Sequence, residues 1–404
     1  MINIAVLGYG TVGSGVAEVL RTNQESINNR AGQEINLKYV LDLRDFPGDA
    51  VEKILVHDYN IILNDDDVKI IVEVMGGVNP AYNFVKSALL KGKSVCTSNK
   101  ELVAKHGAEL IEIAKENRAN FLFEASVGGG IPIIRPLNQS LTADEIIEIS
   151  GILNGTTNFI LTSMSKDGLD FDTVLKKAQE LGYAERNPEA DVEGYDACRK
   201  IAILSSLACG HQVDYEDIYT EGITKITDMD FRYAEKLGTV IKLIGSSKKS
   251  ENGFCAMVAP KMICAEHPLA GVNGVMNAIF VKGNVLGDVM FYGAGAGKLP
   301  TASAVVSDVV DAVKHMGTNI MTIWSTEKMP LLDIKDVESR FFIRVKNDKD
   351  MPKRLEDAFG AGETVVLDGV LDELGFVTGI LTEKEYEAAA DSIGGVISMI
   401  RYEG

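Results

Sequence analysis

The 404-residue sequence has little cysteine, proline and tryptophan, and its cysteines lack the spacing through which they usually act. It contains one tryptophan, ten prolines and five cysteines. The cysteines are Cys96, Cys198, Cys209, Cys255 and Cys264. An odd number without CxxC pairs argues against a disulfide framework or a zinc site. We therefore expect a reducing compartment, the cytoplasm.

Positive charge is also scarce, because 40 lysines and arginines stand against 58 aspartates and glutamates, for a net charge of −18. A field of that sign repels phosphate backbones and anionic lipid, so neither nucleic acid nor a membrane is expected as a partner. The longest uncharged stretch, residues 149–165, carries threonines and asparagines and is too polar for a membrane span. The N-terminus has no basic segment before its apolar run, so no signal peptide is expected.

The length exceeds the roughly 250 to 300 residues over which one hydrophobic core usually grows, which predicts two or three domains. The first third alternates β-branched apolar runs with amphipathic stretches, as in βαβ units. Strands are predicted at residues 2–7, 37–41, 69–74, 94–97 and 120–125, with a helix at 102–118. We expect an α/β, Rossmann-type doubly wound parallel sheet over residues 1–132.

The rhythm changes after about residue 131, where longer helices alternate with less regular strands. Strands are predicted at 146–153, 239–244, 253–260 and 277–281, and helices at 157–164, 173–181, 195–209 and 302–316. This pattern favours a mixed or antiparallel sheet, so we expect an α+β substrate-binding and oligomerisation domain over residues 133–300. A helix at about 301–320 is expected to complete the first domain.

The last segment, residues 338–404, has the order βαββαβ and is called the tail below. Its strands are predicted at 341–345, 365–370, 376–381 and 396–401, and its helices at 352–359 and 383–392. The second helix opens with Thr382 and Glu385, the spacing of a capping box. This order predicts a small ferredoxin-like domain.

A glycine-rich turn follows the first predicted strand and opens a helix. It consists of Gly8, Tyr9, Gly10, Thr11, Val12 and Gly13. Glycines in a GxGxxG turn let backbone N–H groups approach a pyrophosphate at a helix N-terminus. The motif alone is weak evidence, but its place between a strand and a helix favours dinucleotide binding. Asp42 and Arg44 end the second strand, where an acid accepts ribose hydroxyls and an arginine accommodates a 2′-phosphate, so NAD and NADP both remain open.

A second constellation joins Glu185 and Asp196 to Lys200. Asp196 and Lys200 share a helix face at i, i+4, and an ordinary surface ion pair would explain the two residues alone. The turns that follow are too apolar for a solvated helix, so we expect these charges to face a cavity. Carboxylates there suit a substrate ammonium or hydroxyl, and a lysine can transfer a proton.

Two further positions suggest ligand contacts. Lys100 follows a strand at its carboxyl end, where open α/β sheets place ligands, although a helix start disfavours a cation. Glu124 precedes a glycine-rich turn that can gather carbonyl oxygens around a cation, but a plain strand-to-helix turn is favoured on loop statistics. The five histidines have no metal-ligand spacing.

Together these motifs resemble homoserine dehydrogenases. Residues 178–200 are similar throughout to that family's signature, including the A-x3-G start and the final D-x3-K. Supporting motifs are GYGTVGSG at 8–15, EVMGG at 73–77, TSNK at 97–100, EASVGGGIP at 124–132 and GILNGTTNFIL at 151–161. The resemblance covers about residues 1–320, and the tail resembles the ACT regulatory domain that often follows this core.

The resemblance implies reversible reduction of L-aspartate 4-semialdehyde to L-homoserine with NAD(P)H, on the route to threonine and methionine. It implies Lys200 as the proton donor and Lys100 as a second active-site lysine that also lies near the cofactor. It places Glu185 and Asp196 at the substrate's ammonium and hydroxyl ends, beside Thr156 and Tyr183. Gly182 and Gly297 match cofactor contacts, and a sodium site would be formed by Glu124, Val127, Gly129 and Ile131. A homodimer or homotetramer is expected.

Other functions explain less of the sequence. A redox sensor that binds a dinucleotide and signals through the tail has no use for Lys200, Glu185 and Asp196 together. Another amino- or hydroxy-acid dehydrogenase on the same sheet leaves the long signature unexplained. Residues 348–352 of the tail lack the glycine that often closes an ACT ligand loop, so we expect the tail to help assembly more than it senses threonine.

Overall fold

The computed structural model describes residues 1–251 and 253–404. The strands of the first two thirds are β1 (Ile2–Leu7), β2 (Ile35–Leu41), β3 (Leu55–Val56), β4 (Val68–Glu73), β5 (Ser94–Thr97), β6 (Phe121–Leu122), β7 (Ile146–Ile152), β8 (His211–Gln212), β9 (Tyr219–Thr220), β10 (Thr239–Ser250), β11 (Gly253–Cys264), β12 (Met276–Gly283) and β13 (Gly287–Ala294). The helices between them are α1 (Thr11–Thr22), α2 (Gln24–Ala31), α3 (Tyr59–Leu63), α4 (Ala81–Leu90), α5 (Lys100–Glu116), α6 (Gly155–Asp167), α7 (Phe171–Glu180), α8 (Glu189–Val192), α9 (Tyr195–Cys209), α10 (Asp228–Lys236) and α11 (Lys298–Lys314).

The remaining elements follow α11. They are β14 (Ser325–Lys328), β15 (Glu338–Lys346), α12 (Met351–Phe359), β16 (Glu363–Val365), β17 (Glu373–Val377), β18 (Leu381–Thr382), α13 (Glu383–Ile393) and β19 (Val396–Glu403). Within residues 1–251 and 253–404, the helices are all too short or too polar to span a bilayer.

The N-terminal sheet is parallel, with six strands in the order β3-β2-β1-β4-β5-β6. Helix α11 returns from the far end of the chain and packs on α1, where Gly15 leaves room for the Lys298 carbonyl. The predicted strand at 120–125 is wrong beyond Leu122, because the chain turns into a 3-10 helix at Glu124–Ser126. The Glu124 N–H bonds the Asp308 carboxylate at 2.9 Å instead of a neighbouring strand, which draws the chain out of the sheet.

The second sheet is mixed and runs through the middle of the molecule in the order β13-β12-β7-β10-β11-β19-β15-β17-β16. Strands β10 and β11 pair along their whole length and extend past the apolar runs that predicted them. Serine and lysine side chains at the hairpin end do not stop the pairing, since the backbone supplies the hydrogen bonds. Helices α6 and α9 pack against the central strands and carry the residues of the site.

The tail has the predicted ferredoxin-like order, with its strands arranged β19-β15-β17-β16 and all neighbours antiparallel. The predicted strand at 365–370 is wrong in its bounds, since β16 ends at Val365 and the chain then turns through Gly369, whose φ is +79°. The Thr382–Glu385 capping box is present. β19 also pairs in parallel with β11, so the tail and the central sheet form one continuous sheet.

Candidate active site

The glycine-rich turn after β1 has the geometry of a dinucleotide site. Gly8 has a φ of +95°, and a Cβ on Gly13 would lie 1.9 Å from the Gly8 carbonyl oxygen. In the described part of the chain, no side chain caps the N-terminus of α1, so its first N–H groups remain open to a ligand. These features fit a bound pyrophosphate, which a helix N-terminus attracts. The crevice above the turn opens where the strand order reverses between β1 and β4, the usual ligand position in such sheets.

Asp42 and Arg44 lie together beside this turn, at the end of β2. The Asp42 carboxylate accepts the Tyr9 N–H at 2.8 Å and the Arg44 guanidinium at 2.9 Å. The Arg44 guanidinium holds the pKa of Asp42 well below its usual range, against the opposing effect of burial. Arg44 is exposed and lies over the Phe46 ring, so its charge is available at the rim of the crevice.

Lys100 is held at the start of α5 by a buried network from the neighbouring strand. The Glu73 carboxylate accepts the Thr97 hydroxyl at 2.7 Å, and Asn99 caps α5 by accepting the Leu102 N–H. Burial raises the pKa of Glu73 despite these hydrogen bonds. The network fixes the strand-to-helix turn, and it directs Lys100 away from the sheet towards α9.

The start of α9 supplies the centre of the site. Asp196 is buried, and its carboxylate lies 2.5 Å from Lys100 Nζ and 2.7 Å from Lys200 Nζ. Burial alone would raise the pKa of Asp196, but the two ammonium groups outweigh it and lower the value. Burial likewise opposes the charge on Lys100, and the Asp196 carboxylate nevertheless raises its pKa. Asp196 and Lys100 therefore both favour their charged forms.

Two residues to which the sequence motifs assigned no role, Asn154 and Asp191, complete the charged cluster. Asn154 Nδ2 donates to Asp191 Oδ1 at 2.7 Å and to Asp196 Oδ2 at 2.8 Å. The Leu153 carbonyl accepts the Lys200 ammonium at 2.7 Å. Burial and the Asp196 charge raise the pKa of Asp191, and the Asn154 amide opposes the rise. Asn154 lies in the motif at 151–161 and Asp191 in the signature at 178–200, and these motifs were the sequence signal that could have identified both residues.

These groups line a cavity of about 490 Å3. Its walls include Ser98, Lys100, Ser126, Gly129, Asn154, Thr156, Gly182, Tyr183, Asp191, Asp196, Lys200, Val275 and Gly297. The Thr156 hydroxyl donates to the Tyr183 carbonyl at 2.6 Å, which ties the 182–183 turn to α6. Glu185 is exposed and does not line the cavity, so the structure does not bring it together with Asp196.

In the loop after β6, the Glu124 carboxylate accepts hydrogen bonds from the backbone and is not arranged as the ligand of a cation. The Glu124 side chain accepts the N–H groups of Ile133, Ile134 and Arg135 at 2.6 to 2.9 Å, so both its oxygens are occupied by donors. Within the described part of the chain, no hydrogen-bond donor reaches the buried carbonyl oxygens of Val127, Gly129 and Ile131. No cluster of three acidic, histidine or cysteine ligands is found among those same residues.

A parallel sheet with a glycine-rich first turn, together with a cavity lined by two lysines and two carboxylates, is the arrangement expected of an NAD(P)-dependent oxidoreductase. Two family models match the chain: the homoserine dehydrogenase NAD-binding domain over residues 8–124 and homoserine dehydrogenase over residues 132–310. A homoserine dehydrogenase of Synechocystis sp. is 42% identical, over 97% of this chain and 96% of that protein. The chain therefore belongs to the homoserine dehydrogenase family, and it interconverts L-aspartate 4-semialdehyde and L-homoserine with NAD(P).

Solved structures agree with this assignment. A homoserine dehydrogenase from Thiobacillus denitrificans has a TM-score of 0.90 and 38% identity, and the match covers 100% of this chain and 98% of that one. A mutant of a hyperthermophilic archaeal homoserine dehydrogenase in complex with NADPH has a TM-score of 0.67 and 30% identity. That match covers 77% of this chain and 97% of the archaeal chain.

Proposed function

We propose that Lys200 donates the proton in aldehyde reduction. When bound, the nicotinamide of NAD(P)H supplies a hydride to the aldehyde carbon. Lys200 Nζ gives its proton to the carbonyl oxygen, so that hydride and proton together convert the aldehyde into the alcohol. The observation that carries this assignment is the buried Asp196 carboxylate, which holds the amino groups of Lys100 and Lys200 within 2.7 Å at the wall of the cavity.

Lys100 and the carboxylates divide the remaining work. The Lys100 ammonium stabilises negative charge that develops on the carbonyl oxygen, as preorganised donors do in a site with little water. Asp196 orients both lysines, and its position also suits the substrate hydroxyl. Among residues 1–251 and 253–404, no cation contacts Asp191, so its carboxylate is available to the substrate ammonium. A role for Glu185 requires the exposed 183–188 segment to move inward over the cavity.

The cofactor would lie along the crevice from β2 to the cavity. Its pyrophosphate suits the backbone of Gly8, Gly10 and Gly13, with Tyr9, Thr11 and Val12 in the same turn. Its ribose edge suits Asp42 and Arg44, and its nicotinamide end suits Lys100, Gly182 and Gly297. Asp42 and Arg44 are paired, and together they favour neither NAD nor NADP. The Asp42 carboxylate suits the ribose hydroxyls of NAD, whereas the Arg44 guanidinium suits the 2′-phosphate of NADP.

A monovalent cation, sodium, is proposed at the loop of residues 124–131. The donor set would be backbone carbonyls of Glu124, Val127, Gly129 and Ile131, because the Glu124 carboxylate is occupied. Hard cations take oxygen ligands of this kind. Replacing sodium by choline at constant ionic strength should lower the melting temperature; an unchanged value would remove the ion from this loop.

Self-association is proposed through the edge of the central sheet. Strand β13 ends the sheet, and its outward side chains Met290 and Tyr292 are exposed, as are Val285 and Leu286 in the preceding turn. Apolar side chains grouped at a sheet edge favour contact with a second copy. Light scattering should give a dimer or tetramer, and Tyr292→Lys should lower the mass; a monomeric wild-type chain would contradict this.

The reaction uses soluble metabolites, and we place it in the cytoplasm.

The residue roles are tested by following oxidation of NADPH and of NADH with L-aspartate 4-semialdehyde. We expect Lys200→Ala and Lys100→Ala to lower kcat, and the exposed Lys177→Ala to serve as a control with wild-type rates. Cofactor binding, measured separately by NADPH fluorescence, should persist in Lys200→Ala and Lys177→Ala. A Lys200→Ala variant with wild-type kcat would refute its role as proton donor.

A further inference from the structure

The junction between β7 and α6 places one neutral amide between two acids of the site, the buried Asp196 and the half-buried Asp191. Asn154 is 5% exposed and its Nδ2 contacts both the Asp191 and Asp196 carboxylates. Its Oδ1 accepts the Thr157 N–H at 2.8 Å, so the same side chain caps α6. The carbonyl of the preceding residue, Leu153, holds Lys200. The junction therefore contacts every charged group on the α8–α9 side of the cavity.

The two acids depend on this amide to different degrees. Asp196 lies between Lys100 and Lys200, which compensate its charge. The Asp191 carboxylate, within the described residues, accepts a side-chain hydrogen bond only from Asn154. The groups that act on Asp191 are the Asp196 charge, which repels it, and the ammonium groups of Lys100 and Lys200, which attract it from a greater distance.

We propose that Asn154 is a positioning residue that holds Asp191 ionised and oriented towards the substrate ammonium. This inference rests on the proposed function. A donor on each carboxylate fixes both acids at one separation, and it offsets part of the repulsion that would otherwise favour a protonated Asp191. The amide needs both its N–H groups for this, and no other side-chain type of this size has two donors and one acceptor.

Asn154→Asp separates the two roles of the side chain. Aspartate is as good an N-cap as asparagine and has nearly the same volume, so the α6 cap is retained. It has no N–H to give at neutral pH and adds a third carboxylate to the pair. Because closely spaced carboxylates cannot all ionise, one proton should be retained in the group.

The expected result is a change in pH dependence as well as in rate. Asn154→Asp should lower kcat/KM for L-aspartate 4-semialdehyde by about 10²-fold, the scale of a misplaced substrate contact. The acidic limb of the pH profile of kcat/KM should move to higher pH. Most of the decrease in kcat/KM should come from a higher KM. Asn154→Ser keeps the cap without adding charge, and it should show a smaller loss and a smaller shift in the same direction.

Asn158→Asp is the matched control. Asn158 lies one turn further along α6, is equally buried, and donates to the carbonyls of Val272 and Met276 instead of to carboxylates. This variant should leave the acidic limb in place, and melting temperatures of all three variants measure any loss of folding. Wild-type pH profiles for both Asn154 variants, or an equal shift in Asn158→Asp, would overturn the proposal. Wild-type chain that binds NADPH without oxidising it with the semialdehyde would instead refute the proposed function.

Discussion

Arg401 joins the tail to the core through a buried ion cluster, and replacing it should be strongly destabilising. The side chain is 2% exposed and contacts Glu383 at 2.6 Å and Glu221 at 2.9 Å, with the Tyr219 ring 4.8 Å away. Arg401→Met keeps most of the apolar volume but leaves two carboxylates without their cation. Breaking a buried pair in this way costs about 3 to 5 kcal/mol, mostly from the uncompensated charge.

The pH dependence of this loss gives a sharper test than its size. Burial raises the pKa of Glu383, and Arg401 opposes the rise, so the variant should raise it further. A group whose folded pKa lies above its unfolded value near 4.3 contributes stability below that value and loses the contribution as pH rises through the folded pKa. The deficit of Arg401→Met should therefore be greater at pH 8 than at about pH 5.

The assay is denaturant unfolding at both pH values, followed by circular dichroism and by the fluorescence of Trp324. Glu383→Gln in the Arg401→Met background should recover part of the loss, because it removes the charge left unpaired. Lys335→Met breaks an exposed pair with Glu387 and should change the free energy of unfolding by less than about 1 kcal/mol. A loss of about 1 kcal/mol or less in Arg401→Met, or a deficit greater at pH 5, would refute the reasoning.

Two further predictions concern the active site and the cofactor. Lys200→Ala should lower kcat by about 10² or more, as for loss of a general acid, with little change in cofactor affinity, and stopped-flow hydride transfer with NADPH would detect it. Arg44→Ala should raise the KM for NADPH more than that for NADH, since a 2′-phosphate loses a charge-assisted partner and a hydroxyl loses little. Equal changes in both KM values would show that Asp42 and Arg44 do not form the ribose pocket.

Local patterns predicted the elements well where one segment determines its own structure. Helix α9 spans Tyr195–Cys209, the same bounds that its apolar spacing indicates, and the Asp196–Lys200 contact follows from i, i+4 geometry. The parallel sheet follows from alternating strands and helices, and its strand order is the usual one for a glycine-rich first turn. In these cases the sequence periodicity and the folded environment impose the same arrangement.

Contacts between distant segments account for what local patterns missed. The Asn154 amide meets acids 37 and 42 residues further along the chain, and no spacing rule connects them. Strand β6 ends early because Glu124 bonds a residue of α11, 184 positions away. No local pattern predicts the pairing of β11 with β19. The apolar pattern of β19 indicates a strand, but it does not indicate whether the neighbouring strand belongs to the same chain or to another subunit.

That last pairing bears on whether the tail senses threonine. In the tail's own sheet β19 is an edge strand, and β11 of the same chain occupies that edge through Lys261 opposite Arg401 and Ile263 opposite Glu403. The last part of that edge, Arg401–Glu403, is then unavailable for pairing with a partner's tail. The other edge is the three-residue β16, which offers few backbone groups. The tail is thus bonded to the catalytic sheet at the C-terminal end of β19.

The contacts continue from the tail to the acids of the site. Glu221, which binds Arg401, is followed by Gly222, where a Cβ would lie 2.3 Å from the Val192 carbonyl oxygen. The next residue, Ile223, donates its N–H to the same carbonyl at 2.8 Å. Because Val192 directly follows Asp191, support from the tail reaches the carboxylate that we propose binds the substrate ammonium.

We therefore expect threonine up to millimolar concentrations to leave the initial rate of the full chain unchanged. A chain that ends at Lys335 should lose stability and kcat together, because the truncation uncovers the edge of β11 and the buried ring of Tyr233. We expect this loss even though the archaeal relative matches only 77% of this chain. Rates with and without threonine, together with melting temperatures of both chains, decide the matter. Strong threonine inhibition that disappears on truncation would establish the tail as a sensor, and a truncated chain with wild-type stability and kcat would refute its supporting role.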